Sequence, residues 1–396
     1  MIERRIFLLL AALAAFAPLA IDLYLPSLGS LAQDLNTTTA MAQRTVTVFL
    51  VGFAGGMLVY GPLSDRFGRR RVILAGTALF IGASLGCAMA SSIEALLVWR
   101  FVQAIGGGAA AVVSRAVVRD LYAEHEAARL MAMIGMVTSI APMVAPLAGA
   151  ALLHLGGWRL EFMALTLFGV VCLAGTLKVL PETLSQQRTQ HSLGLAFQGY
   201  AHVLAQPQAR RLILTGGSHY AAMFAYITAT PYVYMQWLGV SEQGYGLLFG
   251  ANIVSLMGFG WYSSRRVMAL GAAKLAQQGS RWALLGGLLV LAAAWPAQAS
   301  DWTLPLMVLG FLLAVGSLGL VAPNTQAQLL AAHPNNAGAA AALYGCAQFG
   351  LGGLASGLVS AMHDGTARPL GVLVLAFLVL AWSLGTAKTA PGVQQE

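Results

Sequence analysis

Apolar stretches, each about as long as a bilayer is thick, follow one another along the whole chain and are separated by short polar breaks. A membrane-crossing helix needs about 20 predominantly apolar residues. The pattern predicts such helices near residues 5–28, 43–63, 71–90, 94–117, 128–152 and 160–180. After a polar segment from Pro181 to Pro207 it predicts more, near 210–237, 243–263, 275–295, 303–327, 337–361 and 368–387. Inside lipid every backbone N–H and C=O must be satisfied within the protein, which a helix does by itself. The predicted fold class is therefore an all-α membrane protein with 12 transmembrane helices.

The polar breaks carry unequal charge. The stretch GPLSDRFGRRR, residues 61–71, sets four arginines and one aspartate directly after an apolar run from Thr45 to Tyr60. Short loops rich in lysine and arginine resist translocation and mark the cytoplasmic side. With the N-terminus inside, Arg4, Arg5, Arg66, Arg69, Arg70, Arg71, Arg115, Arg119, Arg129, Lys178, Arg188, Arg210, Arg211, Arg265, Arg266, Lys274, Arg281 and Lys388 fall on that side. Arg44, Arg159 and Arg368 fall outside, and Arg100 stays within a span. An even number of spans then leaves both termini in the cytoplasm.

Composition agrees with a lipid solvent: 58% of the 396 residues are hydrophobic and 9% charged, with a mean hydropathy of +0.74. A soluble fold has no means of covering so much apolar surface. The net charge of +8 reflects topology and is no nucleic-acid footprint. The apolar run after MIERR is read as a first span rather than a secretory leader, because it outlasts a leader's apolar core. Cys87, Cys172 and Cys346 lie in different spans without metal-ligand spacing, so no metal site is expected. The sequence contains no GxxxxGK[ST] phosphate loop, and its polar segments are too short for a nucleotide-binding domain. An embedded enzyme would require clustered acids, histidines or cysteines, and these residues are scattered.

A repeat is visible at half the chain length. Gly61, Ser64 and Arg66 recur 199 residues later as Gly260, Ser263 and Arg265, each set following the second span of its half. Duplicated halves are common in transporters, with the substrate site near the bilayer midplane where they meet.

Charges inside spans are expensive and mark functional positions. Arg100 lies seven residues inside the fourth span, roughly 10 Å along the helix from its outer end. Asp22 lies at a matching depth in the first span. Burial favours the neutral form of a carboxylic acid and a nearby cation favours the ionised form. Asp22 is thus expected to carry the exchanged proton, with Arg100 tuning it and Gln103, one turn below, adding a hydrogen bond. The C-terminal half supplies almost no intramembrane charge, and Tyr226, Tyr232, Asn252 and Gln348 are its candidate cavity residues.

The loop at 61–71, RFVQAIGGG from Arg100 and APMVAPLAG from Ala141 together resemble the signatures of the major facilitator superfamily, the last being its antiporter motif. IDLYLP from Ile21 and SRAVVRDLY from Ser114 narrow the resemblance to twelve-span drug:proton antiporters of the Bcr/CflA type, named for bicyclomycin and chloramphenicol resistance. The resemblance implies a major facilitator fold of two pseudo-symmetric six-helix bundles. Residues 1–180 and 208–388 would form the bundles, 181–207 a cytoplasmic linker and 389–396 a short tail. It implies a cytoplasmic gate at Gly61, Asp65, Arg66, Gly68 and Arg69, with Asp65 latched to Arg115, Arg119 or a helix of the other half. It also implies a bent fifth span at Pro142, Pro146 and Gly149 that seals proton leak, although Ala141 stands where the family usually has glycine.

The expected function is proton-coupled efflux of small amphiphilic drugs by a monomer in the bacterial inner membrane, with protons as the coupling ion and no cofactor. Some related exporters carry a second acid earlier in the first span, where this chain has Ala14. That departure favours neutral or zwitterionic, phenicol-like compounds over lipophilic cations. The alternative on the same fold is a proton-coupled exporter or importer of a metabolite such as a sugar or amino acid derivative.

Overall fold

The computed structural model describes residues 4–184, 193–296 and 298–386. Arg188, Lys388, the tail at 389–396 and part of the linker lie outside the described residues. Among the described residues there is no strand. The helices are α1 (Arg4–Asp34, interrupted), α2 (Thr39–Phe67), α3 (Arg69–Ala88), α4 (Ile93–Leu121), α5 (Glu124–Gly156) and α6 (Trp158–Val179). A shorter α7 (Leu193–Ala205) occupies the linker. There follow α8 (Pro207–Thr230, continued by a π-helical turn Pro231–Trp237), α9 (Glu242–Leu270), α10 (Ala272–Ala294), α11 (Thr303–Ala331, interrupted), α12 (Ala337–Ala361) and α13 (Arg368–Thr386).

Nine of the described helices are long and apolar enough to cross a membrane. The other three of bundle length, α8, α9 and α10, carry more polar residues, including the pairs Arg210–Arg211 and Arg265–Arg266 near their ends. They pack in the same bundle, and the outward surface carries large apolar side chains such as Val98, Leu167, Leu247 and Leu288. The polar segment from Pro181 to Pro207 contains a helix, α7. Its Tyr200 hydroxyl donates to the Leu58 carbonyl of α2, 2.7 Å, while Gly199 lies against Asn336 and Ala339 at the start of α12.

Helix starts away from the arginine-rich end are capped by side-chain oxygens. Thr38 accepts from the Met41 amide, Ser92 from Ala95 and Ser241 from Gly244, satisfying donors that a helix N-terminus leaves unpaired. At the arginine-rich end single glycines turn the chain: Gly68 (φ 99°) joins α2 to α3 and Gly271 (φ 78°) joins α9 to α10. The two turns occupy corresponding places in the two halves.

Gly68 has a second constraint, since a Cβ there would run into the Glu182 carboxylate. Glu182 caps α3 from a distance, accepting the Arg69 amide at 2.8 Å. Backbone strain alone costs about 1–2 kcal/mol for an alanine at such a φ. Nothing lies within 4 Å of a Cβ at Gly271. Gly68→Ala is therefore expected to lower the melting temperature of the purified protein more than Gly271→Ala, and equal losses would show that the Glu182 cap contributes nothing.

Two prolines account for the interruptions of α1. Pro18 and Pro26 have no N–H to give to the carbonyls of Ala14 and Asp22 four residues back. The helix ends at Ala14, resumes at Phe16, and ends again at Asp22 before a 3₁₀ turn over Leu25–Ser27. α5, by contrast, runs through Pro142 and Pro146 as a single 33-residue helix.

The two six-helix groups meet mainly where α2 packs on α12 and α5 on α9. Small residues on one side receive large ones from the other: Met57 against Gly345, Val51 against Gly353, Leu147 against Gly246. Such pairs let backbones approach closely, which is how helices associate in lipid. At the end away from the arginines the groups are bonded, with Thr47 Oγ1 2.7 Å from Ser356 Oγ and Ser360 donating to the Ala40 carbonyl. Toward the arginine-rich end they part around a vestibule of about 860 Å³.

Candidate transport site

A cavity of about 270 Å³ lies deeper between the halves. It shares Met57, Arg115, Thr138, Tyr220 and Gln348 with the vestibule, so the two form one passage from the arginine-rich end to the middle of the protein. Asp22 lines the inner cavity. It is 3% exposed, and its Oδ1 has no hydrogen-bond partner. The proline-induced end of the helix at this residue brings the carboxylate to the interface between the halves.

Most of the wall is apolar or aromatic, with Phe53, Met223, Phe224, Phe249 and Phe349 prominent. The other half contributes Tyr226, Asn252 and Gln348 to the lining. Asn252 donates to the Tyr226 hydroxyl at 3.0 Å and to the Leu248 carbonyl at 3.0 Å, while its Oδ1 is unpartnered. Tyr226 is held by Phe311 and Phe249, with ring centroids 4.6 and 5.7 Å away.

Tyr232 is not part of this wall. It sits at the closed end, where its hydroxyl donates to the Gly365 carbonyl at 3.0 Å and its ring meets His363 edge-on.

Arg100 departs from expectation. Among the described residues no ion pair joins it to Asp22, and neither Arg100 nor Gln103 lines the cavity. The guanidinium is wholly buried and stacks over Phe49 (4.4 Å), Tyr24 (4.5 Å) and Phe162 (5.6 Å). Its Nη1 donates to Gln103 Oε1 at 2.5 Å, and Gln103 donates on to Ser84 at 2.7 Å. A desolvated cation–π contact contributes on the order of 2 kcal/mol. Three rings together offset much of the several kcal/mol that burying a cation costs. Arg100 thus does not have the expected direction around the helix axis. It faces α1, α2 and α6 within its own half.

The residues expected to form the gate are arranged as a clamp within one half. Asp65 pairs with Arg69 at 2.6 Å, and Arg69 also bonds Asp120 on α4 at 2.9 Å and Ser64 at 2.6 Å. The expected partners of Asp65, Arg115 and Arg119, line the vestibule beside it together with Gly61. Arg66 points outward over Phe67. Ser263, the repeat counterpart of Ser64, is likewise buried and bonded, here by Asn324 at 2.7 Å. The two copies thus fix the second helix of each half to its fourth. Of the span 5 motif, Pro142 lines the inner cavity, whereas Gly149 lies against the Leu23 carbonyl, beside the interruption that follows Asp22.

Glu161 escapes a reading of the sequence. It stands one turn inside α6 next to the outward Arg159, where a charge at a span end attracts no notice. In the fold it is fully buried and accepts from Ser27 Oγ at 2.5 Å.

Residues 10–357 match the model of the Major Facilitator Superfamily. The chain belongs to that superfamily. The transporter is 31% identical over 375 residues to the uncharacterized MFS-type transporter YdgK of Bacillus subtilis, covering 94% of this chain and 92% of that one. It is 29% identical to the bicyclomycin resistance protein homolog of Haemophilus influenzae, with 95% and 94% covered. It is 32% identical to the chloramphenicol resistance protein of Pseudomonas aeruginosa, with 95% and 89% covered.

Among solved structures, it superposes on the partially occluded inward-open xylose transporter XylE of E. coli with a TM-score of 0.73. That match has 16% identity and covers 99% of each chain. At that identity the likeness concerns the fold. The protein is a multi-pass membrane transporter and not an enzyme.

Proposed function

We propose that the transporter exports small amphiphilic drugs in exchange for protons by alternating access. Neutral or zwitterionic, phenicol-like compounds are its preferred substrates. The observation that carries this reading is Asp22: a buried, partly unpartnered carboxylate at a helix interruption, facing an aromatic cavity that reaches one end of the protein. Walls of this kind bind by area, with a few polar groups setting orientation. Tyr226, Asn252 and Gln348 supply those groups from the other half. Arg115, on the same cavity, offers a cation to a nitro, carbonyl or carboxylate group. A sugar would leave most of its hydroxyls unpaired against this lining, which disfavours the metabolite alternative.

The arginine-rich end is the cytoplasmic one by the positive-inside rule, both termini lie there, and the protein works as a monomer in the inner membrane. The test compares drug susceptibility of bacteria with and without expression of the protein. Resistance to phenicols with little change toward quaternary ammonium dyes is expected. Resistance to the dyes alone would overturn the substrate preference.

A further inference from the structure

We propose that Glu161 is a second proton-carrying carboxylate, which passes protons between Asp22 and the face opposite the arginine-rich end. This rests on the antiport reading of Asp22. Glu161 is fully buried, and its Oε2 has no partner while Oε1 accepts from Ser27. Ser27 belongs to the 3₁₀ turn that follows Asp22, five residues on. The same interrupted piece of α1 therefore carries one carboxylate and holds the other, so a shift of α1 acts on both.

Beyond Glu161 the route continues to the surface. Glu242, the first residue of α9, lies close enough to act on Glu161 electrostatically. Its Oε2 is 3.0 Å from Nε2 of His154 on α5, and both side chains reach the exterior. Other ionisable groups also lie at this end, among them the Tyr234 and Tyr245 hydroxyls of the second half, which are buried. Asp34 of α1 is paired with Arg159 of α6, the Tyr24 hydroxyl is bonded to Thr45, and Arg100 of α4 is enclosed by its rings. Cys87 of α3 is a buried thiol. The Glu242–His154 pair also spans the two halves, so opening this end separates it and brings water to Glu161.

The transfer balances simply. With that end open, a proton from His154 or the bulk binds Oε2 of Glu161, which becomes neutral. It then passes to the Asp22 carboxylate, leaving Glu161 ionised as before. Asp22 releases it through the vestibule after the halves reverse. A carboxylate that served only to bind Ser27 would have no need of a free buried oxygen or of an aqueous neighbour across the domain interface.

The test uses the full-length protein in liposomes, with chloramphenicol as probe and a pH-sensitive dye reporting drug-driven proton movement. Glu161→Gln is expected to keep drug binding and lose proton movement. Wild-type proton movement in Glu161→Gln, with Asp22→Asn silent, overturns the relay and leaves the antiport reading standing. Proton movement persisting in Asp22→Asn overturns both. Should Glu161→Gln fail to fold, Ser27→Ala serves in its place, because it removes the hydroxyl and keeps the acid. It is expected to shift the pH midpoint of proton movement and of the protonated-carboxyl infrared band, and unchanged midpoints overturn the proposal.

Discussion

Asp22→Asn is expected to abolish drug-driven proton movement and drug resistance while leaving a folded protein that still binds its substrate. The side chains are nearly isosteric, and Asp22 makes no ion pair among the described residues, so the amide replaces the acid without breaking a salt bridge. On the antiport proposed above, the substitution removes the exchangeable proton. In a carrier that couples two fluxes through one site, substrate and proton alternate on the same group, and an amide can serve only the first. Vesicles loaded with a pH-sensitive dye and challenged with chloramphenicol distinguish the outcomes. Proton movement at the wild-type rate in Asp22→Asn would show that the coupling site lies elsewhere.

How far such a site can be read from sequence depends on which coordinate matters. Hydropathy reports depth along the membrane normal, and the spans are legible because a bilayer imposes one length on every helix. Depth says nothing of azimuth: Asp22 faces the cavity, and Arg100 an aromatic enclosure inside its own half. Tyr232 is misread for the related reason that an aromatic residue near a span end suits a wall or an end seal equally well. Glu161 and Glu182 stay hidden because charges at span ends are ordinary, and only the packed fold shows one of them buried and the other capping a distant helix. α7 escapes because, at 13 residues, it is too short to register as a span.

Gly149→Ala is expected to inactivate the transporter and reduce its recovery in folded form. A Cβ at this position would sit well inside the van der Waals envelope of the Leu23 carbonyl oxygen. The obstacle is backbone, so no rotamer change relieves it, and α5 and α1 must separate. Overpacking a tight contact costs typically about 1–3 kcal/mol, and here the segment displaced holds Asp22 at its end. Gly135→Ala on the same helix is the control, because nothing lies within 4 Å of its added Cβ. Removing a helix-interior glycine there gains about 0.5–1 kcal/mol. Size-exclusion profiles and export rates of the two variants should diverge sharply, and a fully active Gly149→Ala would show that α1 and α5 do not need their close contact.

Among the described residues the polar contacts that close the end away from the arginines are few: Thr47 to Ser356, Ser360 to Ala40, and His154 to Glu242 and Gln243. Each is worth about 1 kcal/mol net, so parting these polar contacts costs a few kcal/mol. One proton crossing 100 mV supplies about 2.3 kcal/mol, and a pH gradient adds to it. On the antiport proposed above, the seal is matched to its drive: firm enough to hold the passage shut at rest, and weak enough for a single ion falling through the membrane field to undo.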